Sequence, residues 1–288
     1  MKQRGTALAV TGLTALGVML GAATPTQAAA APPRNNSNTE DVLLVHGIDW
    51  KGTASYDCKS TWKNAKRELS DRRWKGKVRS VAFYKKDKNC DLRIASGNVN
   101  TKIKDLGKAL AKKIDSEYTS KGKSVDLVGH SMGGLIIRAA ITGVAKADSG
   151  FPSKLYVEDV VTLGAPHDGT GSGAFCFWAT QCTDMVKGSN FIEWLRKNPQ
   201  SSHGTDWTAI ASDKDEAVGE DTTTGGGVKH WVRYKNLPGD GDHSKLRTVR
   251  SGTHKLTYRN LPNAQKSTNT GEAPLDWMVR SLYWQKLR

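Results

Sequence analysis

The pentapeptide Gly129-His130-Ser131-Met132-Gly133 lies between the apolar run Val125-Asp126-Leu127-Val128 and a stretch carrying Leu135, Ile136, Ala139, Ala140 and Val144 at helical spacing. A G-x-S-x-G segment flanked in this way turns sharply from a strand into a helix, and its glycines leave room for that turn. The serine hydroxyl is then lifted clear of the backbone at the carboxyl end of a strand. Strain at Ser131 is expected to be functional.

The rest of the chain supplies the alternation this turn requires. Residues 41–45 read as a buried parallel strand running into His46-Gly47. A helix is expected over 62–74, a strand over 78–84, and a helix over 100–118 with Ile103, Leu106, Leu110 and Ile114 on one face. Then follow a strand over 125–129, a helix over 132–144, strands over 155–163, 207–211 and 231–237, and a closing helix over 273–286. The expected fold class is α/β, a mostly parallel sheet with helices on both faces and its working loops at the strand carboxyl ends.

Lys2 and Arg4 precede an apolar stretch over 6–22 and then small residues, the pattern of a secretory signal peptide over residues 1–30, cleaved near Ala28 or Ala30. A flexible lead-in over 31–40 and a single domain over 41–288 follow, and no later segment is apolar enough to span a bilayer. Export suits the four cysteines, with Cys58 expected to pair with Cys90 and Cys176 with Cys182. No C-x-x-C pair favours zinc, and Asp240 and Asp242, expected as solvated turn carboxylates, match no calcium loop, so neither metal nor cofactor is expected. Residues 169–204 carry Phe175, Phe177, Trp178, Phe191 and Trp194, and form either a lid-like wall to an acyl pocket or an excursion whose aromatics pack on the core.

The formal charge is +15, about +13 once Lys2 and Arg4 leave with the signal. Lysines and arginines are spread over 59–88 and 102–123 and form no recognisable nucleic-acid module. A solvated basic surface is the first reading; attraction to an anionic lipid surface or cell-wall polymer is the second. A monomer is expected.

A serine hydroxyl is a poor nucleophile at neutral pH, so Ser131 needs a histidine to take its proton and an acid to hold that histidine's tautomer. In a fold of this class the chain order is serine, acid, histidine. Asp213, Asp215 and Glu216 follow the strand at 207–211, and Asp215 is preferred because the loop has turned back by that point. His243, in the loop after 231–237, is the preferred base, with His254 as its rival. His167 precedes the acid, and His203 and His230 read as structural or surface residues. The oxyanion hole needs two backbone N–H donors, for which Met132 and Ile48 are the candidates, with His46 bracing the Ile48 loop.

Here the chain resembles a bacterial secreted lipase or esterase of the α/β-hydrolase superfamily. The resemblance lies in Val45-His46-Gly47-Ile48, in Val128 to Gly134 at the elbow, in Val160 to Pro166, and in Thr208 to Asp215, where Asp215 occupies the position of the small lipases' aspartate. It implies cofactor-free hydrolysis of carboxylic esters of lipids, with Ser131, Asp215 and His243 as triad and Ile48 and Met132 as oxyanion donors. The chain departs from the small lipases after His243, where a basic extension runs to Asn269, and at Asp49, where many have glycine. A triacylglycerol lipase is the leading expectation, with a short-chain esterase or an acyltransferase as alternatives. A basic secreted binding protein on the same fold is the non-enzymatic one.

Overall fold

Alternation along the first strand separates the two faces of the sheet. In β1 (Asp41–Val45), Leu43 and Val45 join one core cluster, while Val42 and Leu44 join the other. The same split recurs in the neighbouring strands, because successive side chains of a strand point to opposite faces. In the computed structural model, residues 1, 31–171, 178–260 and 262–283 are described.

After β1 come α1 (Cys58–Thr61), α2 (Lys63–Asp71), β2 (Val78–Tyr84), β3 (Leu92–Gly97) and α3 (Ile103–Glu117). The middle of the chain forms β4 (Val125–His130), α4 (Met132–Ala145), β5 (Val157–Leu163), α5 (Thr180–Asp184) and α6 (Asn190–Trp194). The remainder is β6 (Asp206–Ser212), α7 (Glu220–Thr223), β7 (His230–Tyr234), α8 (Asp242–Lys245), β8 (His254–Asn260), β9 (Lys266–Gly271) and α9 (Pro274–Ser281). The nine strands lie in the order β3-β2-β1-β4-β5-β6-β7-β8-β9, parallel from β3 to β7 and antiparallel across β7-β8 and β8-β9. Helices α3 and α4 cover one face, and α2 and α9 the other. Gly107 lets α3 and α4 approach, since a Cβ there would lie 2.5 Å from the Ala139 Cβ.

Several expectations change. The helix expected over 62–74 is broken at Trp62, with α1 before it and α2 ending at Asp71. Strands β3, β8 and β9 were not anticipated: the basic extension after His243 folds into an antiparallel pair that widens the sheet. Residues in the 31–40 lead-in make contacts with the fold, through the Arg34–Asp206 ion pair, Asn38 Nδ2 to the Arg73 carbonyl (2.9 Å), and Trp74 Nε1 to the Glu40 carbonyl (2.8 Å). In 169–204, Phe191, Ile192 and Leu195 are core residues and Trp194 packs against Phe151 and Phe191, whereas Trp178 is exposed. Phe175 and Phe177 lie outside the described residues, as do the proposed signal segment beyond Met1 and residues 284–286 of the expected closing helix.

Cys58 and Cys90 form a disulfide that ties α1 to the β2-β3 loop. Cys182 is disulfide-bonded as well, and Cys176 falls outside the described residues. Among the described residues, no helix is long and apolar enough to cross a membrane.

Candidate active site

β4 ends at His130 and α4 begins at Met132, leaving Ser131 alone at the corner with φ 57° and ψ −132°. A non-glycine residue held there costs about 1–3 kcal/mol, which the surroundings must over-determine. They do so from two sides. The Ser131 N–H donates to the Leu163 carbonyl at the end of β5 (2.9 Å), and the loop after β1 presses against the corner. A Cβ on Gly47 would lie 2.6 Å from the Ser131 Cβ, and one on Gly133 would lie 2.1 Å from the Val45 carbonyl oxygen. Both glycines are therefore required by close approach.

Leu163 is followed by Gly164, and around this turn the other two residues meet. A Cβ on Gly164 would lie 3.0 Å from Asp215 Oδ2 and 3.1 Å from His243 Nδ1. Asp215 Oδ2 accepts a 2.8 Å hydrogen bond from His243 Nδ1, while Oδ1 accepts from the Ala217 and Val218 N–H groups (2.9 and 2.7 Å). Both oxygens of this buried carboxylate are thus committed to N–H donors, one of them the imidazole, which fixes the orientation of the His243 ring. Nδ1 is thereby the protonated ring nitrogen in the neutral state. His243 Nε2, also buried, has no partner among the described residues and is free to accept a proton.

The three neighbouring carboxylates separate cleanly. Asp213 pairs with Lys235 (2.7 Å) and Arg233, Asp215 holds the His243 ring, and Glu216 Oε2 accepts from the His243 N–H (3.2 Å). Asp242, expected as a solvated turn residue, is instead buried. It accepts from Ser212 Oγ and from the Leu237 N–H, and so fastens the loop carrying His243 to the ends of β6 and β7. His254 is the first residue of β8, its Nε2 facing the Ser251 carbonyl, and makes no contact with this group.

His130 was missed by sequence reasoning. Its Nε2 donates to the His243 carbonyl (2.9 Å) and its ring lies 4.7 Å from the His243 ring. Burial, and then the neighbouring His243, push its pKa well below the usual histidine range. It stays neutral and keeps the proton that holds the His243 backbone. No local pattern announces this role, since the variable position of the elbow accepts many residues.

The loop after β1 is equally fixed. His46 is sandwiched between Tyr56 and Phe83, with Nε2 against Asp87 (3.0 Å) and Nδ1 against the Gly47 carbonyl (2.9 Å). Burial would raise the Asp87 carboxyl, but the His46 contact and the Tyr84 and Phe83 N–H groups hold it below the ordinary value. Asp49 accepts from Thr53 Oγ1, the Lys51 N–H and the Ser55 N–H, and its own N–H donates to Tyr84 Oη, which in turn donates to Gln181. Aspartate at this position thus folds the loop through its side chain where a glycine would do so through backbone freedom. Ile48 and Met132 are both buried beside Ser131, and the Met132 N–H, at the first position of α4, has no acceptor within the helix.

The model of the family described as palmitoyl protein thioesterase matches residues 41–211. No curated protein matches the sequence. Among solved structures, the mature Bacillus licheniformis lipase BlEst2 is 18% identical over 77% of this chain and 91% of its own, with a TM-score of 0.47. A lipase-esterase related protein from Clostridium acetobutylicum is 14% identical over 76% of this chain and 92% of its own, with a TM-score of 0.44. The phospholipase PlaB of Legionella pneumophila is 13% identical over 86% of this chain, which spans 60% of PlaB, with a TM-score of 0.53. The last likeness is one of fold, and the mostly parallel nine-stranded sheet with helices on both faces has the α/β-hydrolase fold.

Proposed function

Since the chain belongs to the palmitoyl protein thioesterase family and is by that membership a carboxylic-ester hydrolase, we propose that it is a secreted enzyme cleaving the carboxylic esters of lipids through an acyl-enzyme on Ser131. The observation that carries this reading is the buried Asp215–His243 pair, with Nδ1 committed and Nε2 open, packed on the Leu163-Gly164 turn that also receives the N–H of the strained Ser131.

In the first half-reaction His243 Nε2 takes the Ser131 proton as Oγ bonds to the ester carbonyl carbon. The developing oxyanion is received by the Ile48 and Met132 N–H groups. Collapse breaks the bond to the leaving alcohol, which takes the proton from Nε2. Water then repeats the sequence, with Nε2 as base, and releases the acid and Ser131. Asp215 remains an anion throughout and stabilises the imidazolium.

The same steps cleave a thioester, with a thiol as leaving group, and the family name favours a long acyl thioester as a second substrate class beside triacylglycerol. The test is hydrolysis by the mature protein of short and long acyl oxyesters and of a matched palmitoyl thioester. Ser131→Ala is expected to lower turnover on every substrate by about 10³-fold or more. Equal turnover in the two proteins would falsify the acyl-enzyme. The chain-length profile separates lipase from short-chain esterase, and the oxyester to thioester ratio separates the two substrate classes. Secretion is tested by the N-terminus of protein recovered from the medium, expected near residue 29 or 31.

A further inference from the structure

Trp50 and Trp178 are exposed by 44% and 57%, against a protein that buries most of its large apolar side chains. They are neighbours. Trp50 lies two residues after Ile48, and a Cβ on Gly52 would meet the Trp178 ring at 2.6 Å, so that ring lies over the turn that Trp50 opens. Two indoles thus stand in solvent at the rim of the Ser131 site.

Beside them the loops after β1 and β2 form one platform. Their backbones are bonded through Lys86 N–H to the Ala54 carbonyl (3.3 Å), Lys88 N–H to the Tyr56 carbonyl (2.9 Å) and Cys58 N–H to the Lys88 carbonyl (3.0 Å), and the Cys58–Cys90 disulfide staples them. Asp87 points inward to His46, leaving Lys85, Lys86 and Lys88 exposed on the other side, with Lys51 exposed next to Trp50. The nearby acids are occupied: Asp49 by Thr53 and two N–H groups, Asp57 by the Ser60 N–H and Asn89. Among the described residues Lys51, Lys85 and Lys86 make no ion pair and Lys88 has only the longer-range attraction of Asp57, whereas Lys104, Lys108 and Lys113 along α3 are paired with Asp148, Asp105 and Glu117.

We propose that this platform, with Trp50 and Trp178, is a docking face for an anionic phospholipid bilayer. It rests on the lipid-ester reading above and adds to it the surface that brings the site to its substrate. Indole rings settle at the boundary between headgroups and acyl chains, and unpaired lysines are drawn to anionic headgroups. Charge alone would suit any polyanion; the paired indoles favour a lipid surface. The face also lies at the carboxyl ends of β1 and β2, the same end of the sheet as Ser131, so a docked molecule presents its nucleophile to the bilayer.

The test uses the mature chain carrying Ser131→Ala, so that vesicles stay intact, and sedimentation with phosphatidylglycerol–phosphatidylcholine or pure phosphatidylcholine vesicles. Binding is expected to be strong on the anionic vesicles and weak on the neutral ones. Lys85→Ser/Lys86→Ser/Lys88→Ser should weaken it about 100-fold and Trp50→Ala/Trp178→Ala about 10-fold, while Lys104→Ser/Lys108→Ser/Lys113→Ser on α3 should change it less than about threefold. In the Ser131 enzyme the platform lysine variant should keep its turnover of a water-soluble short-chain ester, which also shows that it folds. Unaltered binding in both platform variants, or equal loss in the α3 variant, overturns the proposal. Binding that polyphosphate abolishes and the tryptophan variant leaves untouched also overturns it, in favour of a polymer. Vesicle binding by a protein with no ester turnover would sink the catalytic reading and leave the docking face standing.

Discussion

The two ends of the central strands bury carboxylates in opposite company. At the carboxyl ends, Asp215 spends both oxygens on donors: the His243 ring and two backbone N–H groups. At the amino ends of β4 and β5, Asp126 and Glu158 are equally buried, yet Asp126 Oδ2 and Glu158 Oε1 have no partner among the described residues. Burial raises the Asp126 pKa well above the carboxylate range, and Asp159, Glu158 and Glu40 raise it further. Burial and then Glu40 push Glu158 to about 7. Burial opposes the charged form of any carboxylate, so what the neighbours present decides whether the group serves as a fixed anion or as a proton store.

The largest effect should come from removing the anion at the carboxyl ends. Asp215→Asn keeps the shape but not the charge or the tautomer preference, and is expected to lower kcat by about 10³ to 10⁴-fold. Asp213→Asn, two residues away and paired with Lys235, should stay within about twofold. Equal losses in the two variants would break the assignment of the acid. Next in size is Gly47→Ala. Its methyl group would meet the Ser131 Cβ at 2.6 Å, forcing the nucleophile or the oxyanion loop to shift. A displacement on the order of 1 Å costs about 10²-fold in kcat. A thermal melt should show the variant folded, and an unchanged rate in a folded variant would mean that the corner is softer than its packing implies.

What could be read from the sequence follows the same division. The elbow was legible because its glycines record backbone needs that no other residue meets, as Gly133 against the Val45 carbonyl shows. The Cys58–Cys90 pair was legible from cysteine number and position. Asp215 and His243 could be ordered by chain position and by resemblance, whereas the fastening of their loops could not. Asp242 and His130 act on groups 30 and 113 residues away, and such bonds leave no local periodicity. β9, Lys-Ser-Thr-Asn-Thr-Gly, is an exposed edge strand with no apolar face to alternate, and β3 lies at the other edge. The acids at the amino ends were invisible for another reason. Asp126, Glu158 and Asp159 read as ordinary polar strand residues until the β4-β5 pairing, with its shift between Val125 and Leu127, brings them together.

The smallest predicted effect tests the amino ends alone. Glu158 titrates near 4.5 when free and at about 7 in the fold. Between those values the unfolded chain has released its proton and the folded one has not, so stability is fully present below about pH 4.5, falls as pH rises towards 7, and is level above it. The full loss is worth about 3 kcal/mol, with Asp126 adding to the slope in the same direction. Glu158→Gln removes the ionisation while keeping the shape. It should therefore stabilise the protein by about 2 kcal/mol at pH 8, raising Tm by roughly 5 °C, and by almost nothing at pH 4.5. A Tm shift of equal size at both pH values would mean that the glutamine gains by packing or hydrogen bonding and not by escaping a buried charge. Because the cluster lies at the opposite end of the strands from Ser131, kcat/KM of the variant at pH 8 should stay within about twofold. A larger change would show that the two ends communicate through β4 and β5, and that the proton store at one end tunes the chemistry at the other.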